Sequence, residues 1–227
     1  MSNQRLRFSD ATWFPRNKEI CLIGGSGGIG SWLSFFLSKI GFNIYLYDFD
    51  TIEPHNLGGQ LFKQRHIGVL KVEAVQEIIA EYCEGKLNIF NERVTRDTPH
   101  HYFVFSAFDN MQARKDLFEV WKKSLLEIPE GIYPIFIDGR LELEQLQIFC
   151  VTPETMTRYE TEYLFSDSVV QEVACTMKQT SHTAAMIGSL MTAFFTNHIS
   201  NMYMQEDIRE VPFYFEFVVP MNYVNTF

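Results

Sequence analysis

Asp48 and Asp50 stand two residues apart in YDFDTIEPHNLGGQLF, residues 47 to 62, and Asn56, Gln60 and Lys71 follow them. Carboxylates at the end of a strand accept hydrogen bonds from sugar hydroxyls, and a lysine beside a helix start is a point-charge binder for phosphate. Upstream lies GGSGGIGS, residues 24 to 31, in which Gly25, Gly27 and Gly30 hold the first, third and sixth places of a G-x-G-x-x-G pattern that also contains Gly28. Such glycines allow a tight turn, a close backbone approach to phosphate and close packing of helix on strand. The N–H groups of the helix that follows then face an anion. Asp48 falls about 20 residues beyond this turn, the spacing at which an acid receives ribose hydroxyls. That much suits NAD and ATP equally.

Farther along, SAFDNMQAR places Asp109 and Asn110 where a strand gives way to a helix. An aspartate there can hold Mg²⁺, which takes one or two carboxylates plus substrate phosphates, or it can cap the helix. Taken alone, Lys71 reads as a solvated surface lysine. Cys175, in a polar stretch with His182 downstream, reads first as a packed loop thiol and second as a nucleophile if its thiolate is accessible.

The elements that must position these groups alternate. EICLIG (19 to 24) is a short apolar run ending at glycines, as a strand buried on both faces requires. In the next segment Ile29, Leu33, Phe36, Leu37 and Ile40 have helical spacing, closed by Gly41 as a C-cap. NIYLYDFD, LNIF, HYFVFSAFD and YPIFIDG read as strands, with GVLKVEAVQEIIAEYC and NMQARKDLFEVWKKSLL as the helices between. This alternation from 19 to 138 predicts a Rossmann-like, doubly wound, mostly parallel α/β sheet. RLELEQLQIFCV (140 to 151) alternates charged and apolar residues and predicts an added antiparallel strand; VPFYFEFVVP gives a last one, after an irregular stretch at 153 to 178 and an uncharged helix at 179 to 205. On that helix Ala185, Ser189 and Ala193 form a small-residue face expected first to pack on the sheet and second to serve as a dimer interface.

The 227 residues, 46% hydrophobic, suit one globular domain. A net charge of −9 argues against a nucleic-acid surface. The uncharged helix carries too many polar side chains for a lipid-facing span. MSNQRLRFSD has no apolar leader-like run, and Cys21, Cys83, Cys150 and Cys175 form no close pair, so the expectation is a cytoplasmic protein with reduced thiols and no structural zinc.

Taken in order and spacing, the G-x-G-G-x-G turn, DFDTIEPHNLGGQ, IGVLKVE and DNMQAR resemble the E1-like adenylating enzymes of the ThiF, MoeB and HesA superfamily. The resemblance implies a single adenylation domain over 1–227, with a nucleotide-binding half at 18–140 and a substrate and dimer half at 141–227. It implies an ATP- and Mg²⁺-dependent adenylyltransferase, usually a homodimer, that activates the C-terminal carboxylate of a ubiquitin-like protein or peptide as an acyl adenylate with release of pyrophosphate. Carried over by position, Gly25, Gly27, Gly28 and Gly30 shape the nucleotide turn, Asp48 holds the ribose, and Asp50, Asn56, Gln60 and Asn110 line the pocket. Lys71 contacts the phosphates, Asp109 binds Mg²⁺, Arg114 is a structural helix arginine, and Cys175 becomes a candidate acceptor of acyl or sulfur cargo. The chain departs at Gly59, where the family writes a phosphate-binding arginine; Arg5, Arg7 and Arg65 are the candidates to replace it. That departure keeps open a weak or inactive nucleotide-binding partner subunit, and the glycine turn with Asp48 keeps open an NAD-dependent oxidoreductase.

Overall fold

The structure is a computed structural model that describes residues 3–16, 19–165, 180–204 and 206–227. Eight strands form one sheet in the order β3-β2-β1-β4-β5-β6-β7-β8. β1 (Ile20–Gly24), β2 (Asn43–Tyr47), β3 (Lys86–Phe90), β4 (Phe103–Ser106) and β5 (Ile135–Glu142) run parallel. β6 (Gln145–Val151), β7 (Tyr214–Val218) and β8 (Tyr223–Thr226) are added antiparallel. The doubly wound, mostly parallel sheet with antiparallel strands toward the C-terminus is therefore the observed fold.

Two apolar layers cover this sheet because side chains alternate along its strands. Cys21, Ile23, Ile44, Leu46, Phe103, Phe105, Ile135 and Ile137 face one core, closed by α1 (Gly28–Ile40), α2 (Lys71–Tyr82) and α5 (Ser181–Tyr203). Leu22, Tyr47, Val104, Phe136, Phe149 and Val151 face the other, closed by α3 (Met111–Ser124) and α4 (Met156–Glu162). Gly41 ends α1 with φ of 113°, a left-handed conformation that glycine adopts without strain.

Four expectations need correction. The stretch 140 to 151 is a hairpin: β5 runs on to Glu142, the chain turns at Leu143 with φ of 56°, and β6 starts at Gln145. A continuous charged and apolar alternation looks the same on both sides of so tight a turn. The polar stretch contains α4, whose buried Tyr159 anchors it, and a further strand, β8, follows β7. On α5 the buried face is Ala184, Ile187, Gly188 and Met191, while Ser189 and Ala193 are exposed. Helix contact is closest at Gly188, where an added Cβ would lie 3.1 Å from the Leu33 nitrogen and 3.3 Å from Trp32 Cβ on α1. Cys21, Cys83 and Cys150 are buried and free, and burial pushes the Cys21 and Cys150 thiols up, so these three pack.

Gly188→Val should overpack the junction of α1 with α5 and cost about 1–3 kcal/mol. Urea unfolding of the variant checks this; an unchanged midpoint would mean that the helices do not meet there.

Candidate active site

At the carboxyl edge of the parallel strands, β1 hands over to α1 through a turn in which Gly25 has φ of 90°. A Cβ on Gly30 would lie 1.8 Å from the Gly25 carbonyl oxygen, so only glycine lets the first turn of α1 close onto β1. The helix N-terminus, with its unpaired N–H groups, opens at this edge. Asp48, at the end of β2, is buried beside it: Oδ2 accepts from the Ser26 N–H at 2.7 Å and the Ser26 hydroxyl at 2.9 Å, and Oδ1 accepts from the Asp50 N–H at 2.8 Å. Ser26 is a site residue that the glycine pattern alone did not mark, because it occupies a variable place in that pattern.

Lys71 is no solvated lysine. It is only 9% exposed, and its Nζ donates to Asp50 Oδ2 at 2.8 Å while its backbone N–H bonds the Asp50 carbonyl at 2.9 Å. Glycine turn, Asp48, Asp50 and Lys71 are thus joined by consecutive contacts. Asn56 accepts the Glu53 N–H through Oδ1 at 2.9 Å and so shapes the short 3-10 turn Pro54–Gly58. The next residues fold back over α1: Trp32 Nε1 donates to the Gly59 carbonyl at 3.4 Å and the Leu61 N–H to Ser31 Oγ at 3.2 Å. Gln60 is thereby buried, with Nε2 3.8 Å from where a Cβ of Gly27 would sit and its Oε1 without a hydrogen-bond partner. A buried amide left unpaired costs free energy that a ligand recovers.

Asp109 is exposed at the same edge, two residues beyond Ala107, whose N–H bonds the Gly24 carbonyl at 2.9 Å. The cap of α3 is Asn110, which accepts the Ala113 N–H at 2.8 Å, so Asp109 is released from that structural duty. Asn110 also places its Nδ2 3.5 Å from Asp109 Oδ1. Among the described residues no three His, Cys, Asp or Glu side chains converge as a metal cage. A single exposed carboxylate beside a helix N-terminus fits Mg²⁺, which keeps several waters and takes one or two carboxylates together with substrate phosphates.

Of the arginines weighed against Gly59, Arg5 donates to the carbonyls of Ser38, Lys39 and Glu84 at the far end of α1, and Arg65 pairs with Glu77 and Glu81 on α2. Arg7 is exposed on the N-terminal 3-10 turn. None reaches the glycine turn of its own chain. Cys175 lies outside the described residues, while His182 is exposed at the start of α5 beside Thr180.

A second polar cluster lies under the Asp109 turn. Asp138, fully buried on β5, pairs with Arg114 of α3 and accepts from Arg140 Nε at 2.7 Å and from the Tyr159 hydroxyl at 2.8 Å. Arg114 also donates to the Phe108 and Gly139 carbonyls, and Arg140 to the Tyr163 carbonyl at 3.0 Å. Burial alone would raise the Asp138 pKa; Arg114 and Arg140 outweigh it and hold the carboxyl below its usual range. The charged pair Asp138-Gly139-Arg140 inside an apolar strand was the available signal in the sequence, but its partners Arg114 and Tyr159 come from elements that only the fold brings together.

The family model described as the ThiF family matches residues 16–220. This chain belongs to the ThiF family. Ubiquitin-like modifier-activating enzyme 5 of Arabidopsis thaliana is 30% identical over 82 residues, 36% of this chain and 19% of that protein. The crystal structure of PaaA superposes with a TM-score of 0.71 at 16% identity, covering 95% of this chain and 66% of that one. E. coli MccB solved with ATP gives 0.66 at 14% identity, covering 95% and 65%. This ThiF-family chain therefore spans 66% or less of each of these proteins, and at such identities the likeness to the two structures establishes the fold.

Asp138→Asn should destabilise the ThiF-family fold by about 3–5 kcal/mol, since it leaves two buried guanidinium groups facing a neutral partner. The sign with pH follows from the lowered pKa. The ionised carboxylate stabilises the protein above the unfolded-state value of about 3.9, and that contribution is lost as pH falls through the lower folded-state value. Urea unfolding from pH 6 downward should show an acid loss in the wild type that is smaller in Asp138→Asn, where only the other carboxylates with lowered values, Glu77, Glu81 and Glu154, remain; parallel curves would refute the assignment.

Proposed function

We propose that this chain is an ATP-dependent adenylyltransferase that activates the C-terminal carboxylate of a ubiquitin-like protein or peptide. The observation that carries this reading is the continuous run of contacts from the glycine turn through Asp48 and Asp50 to Lys71, with the buried Gln60, whose Oε1 has no partner, beside the turn. A nicotinamide dinucleotide gives Lys71 and Gln60 no joint role, whereas a triphosphate does.

In this reading Asp48 accepts a ribose hydroxyl, for which its carboxylate retains one lone pair beyond the three hydrogen bonds it already accepts. Gly25, Gly27, Gly28 and Gly30 bring the phosphates to the N–H groups of α1, with Asp50, Asn56, Gln60 and Asn110 around them. Lys71 leaves Asp50 for the phosphates. Asp109 holds Mg²⁺, which when bound neutralises charge on the phosphates. A carboxylate oxygen of the substrate attacks the α-phosphorus, the bond from that phosphorus to the bridging oxygen breaks, and pyrophosphate departs with the bonding electrons. The fixed cations and N–H groups stabilise the charge that builds on the phosphates. In a following transfer, for which Cys175 is the candidate acceptor, a thiolate attacks the acyl carbon, the bond from that carbon to the phosphate oxygen breaks, and AMP departs with the bonding electrons. The working assembly is a homodimer in the cytoplasm.

The absence of an arginine at Gly59, with Arg5 and Arg65 both engaged elsewhere, supports a second reading: a nucleotide-binding partner subunit with weak or no chemistry.

Thermal unfolding separates these readings. ATP with Mg²⁺ at 100 times its Kd should add about 2.7 kcal/mol, a rise of roughly 5–10 °C for a chain of this size, and Asp109→Ala should lose the Mg²⁺-dependent part. Lys71→Ala should lower the rate of pyrophosphate exchange with a carboxylate substrate by roughly 10²–10³-fold, as removal of one charge-stabilising donor does elsewhere. Stabilisation by NAD⁺ with none by ATP overturns the adenylation reading; stabilisation by ATP without any exchange favours the partner subunit.

A further inference from the structure

The buried cluster on β5 does not balance its charges. Asp138 supplies one negative charge, Arg114 and Arg140 supply two positive ones, and Tyr159, whose phenol burial pushes well up, stays neutral while donating to Asp138. Among the described residues no second carboxylate touches either guanidinium. Arg114 is buried, with Nη1 given to Asp138 and the Gly139 carbonyl and Nη2 to the Phe108 carbonyl. Arg140 is more open: Nε and Nη2 are used by Asp138, Tyr159 and the Tyr163 carbonyl, and Nη1 donates to no described residue.

Its position matters as much as its charge. The last register pair of β4 with β5 is Ser106 with Asp138, so Arg140 projects two residues, roughly 7 Å, past the end of β4 on the edge that carries the glycine turn. The Phe149, Tyr159 and Phe165 rings lie 4.7, 5.9 and 5.8 Å from its guanidinium carbon and leave its side chain 15% exposed. Ser106 follows Val104 on the face that Asp138 shares, and its fully buried hydroxyl has no hydrogen-bond partner. A guanidinium with a spare edge, part exposed at a sheet end in a cluster with one excess positive charge, asks for an acceptor that carries negative charge. The nucleotide phosphates already have the helix N-terminus and Lys71, both reached from the opposite face of the sheet, where α1 and α2 lie.

We propose that Arg140 is a substrate-binding residue that holds a carboxylate of the peptide to be activated. This rests on the adenylation reading for the word substrate but not for the site itself. A guanidinium surrounded by rings and poorly hydrated is well matched to a planar carboxylate, which it can engage through two parallel hydrogen bonds. Two carboxylates of a peptide meet that description, the chain terminus and an acidic side chain near it.

Calorimetry on the full chain distinguishes them with three peptides: N-acetyl-tetraglycine as free acid, the same peptide as C-terminal amide, and N-acetyl-Gly-Asp-Gly-Gly amide. Wild-type protein should bind at least one carboxylate-bearing peptide roughly tenfold more tightly than the neutral amide, and the preferred one names the source. Arg140→Gln should abolish that preference with ATP affinity unchanged. Arg140→Lys, which keeps a cation beside Asp138, should retain part of it and serves if the glutamine variant fails to fold by circular dichroism. Equal binding of all three peptides by the wild type overturns the proposal, as does a glutamine variant that loses ATP affinity and keeps its peptide preference. A wild type that prefers the carboxylate but does not bind ATP would refute the adenylation reading and leave Arg140 standing.

Discussion

The approach of Gly30 to the Gly25 carbonyl governs the site. With a Cβ there 1.8 Å from that oxygen, no side chain is tolerated, and the contact sets both the angle and the depth at which α1 leaves β1. That depth puts Ser31 and Trp32 within reach of Leu61 and the Gly59 carbonyl, which folds the 3-10 turn and Gln60 over the helix start. It also leaves Ser26 where its N–H and hydroxyl meet Asp48, fastening the end of β2 to the glycine turn. One steric constraint between two glycines therefore carries through to the placement of the carboxylate and the amide that flank the ligand edge.

The two ion-pair systems at this edge differ in what they can do. Lys71 with Asp50 joins a nearly buried ammonium to a half-exposed carboxylate, and a pair screened in this way contributes at most about 1 kcal/mol. Moving Lys71 from Asp50 to a phosphate therefore meets little resistance, and its backbone bond to the Asp50 carbonyl keeps the helix start in place while the side chain swings. Asp138 with Arg114 and Arg140 lies where water does not reach its carboxylate, and separating those groups would cost about 3–5 kcal/mol. The first system suits a residue that exchanges partners during binding, the second a fixed frame.

How much of this was legible follows from the range of the interactions. The glycine spacing, the αL cap at Gly41 and the alternation of apolar strands with amphipathic helices are local, and they gave the parallel half of the sheet and the placing of Asp48, Lys71 and Asp109 at one edge. The turn at Leu143 was hidden, because an alternating pattern continues unbroken through a tight hairpin. Taken alone Lys71 reads as solvated, because its burial depends on a carboxylate twenty-one positions away, and Asp109 reads equally as a metal ligand or a cap, because nothing local shows that Asn110 takes the cap. Tyr159, Arg114 and Asp138 meet from three separate elements, and nothing in the local pattern of any of them announces the other two.

Arg114 also explains how the edge that carries the glycine turn and the antiparallel strands act as one body. It bonds the Phe108 carbonyl, directly before Asp109, and the same Asp138 that holds Arg140. Any displacement of Arg140 or of the end of α4, to which Arg140 is tied through the Tyr163 carbonyl, is resisted by a carboxylate that also sets the Asp109 turn. The β5 to β6 ladder, seven register pairs long, runs through the same residues and leaves no hinge between them. Under the adenylation proposal, the delivery of a carboxylate to a phosphate gains from this stiffness. Groups held by one buried ion need little further ordering when ligands arrive, and that saved entropy is a large part of what a positioned site contributes to rate.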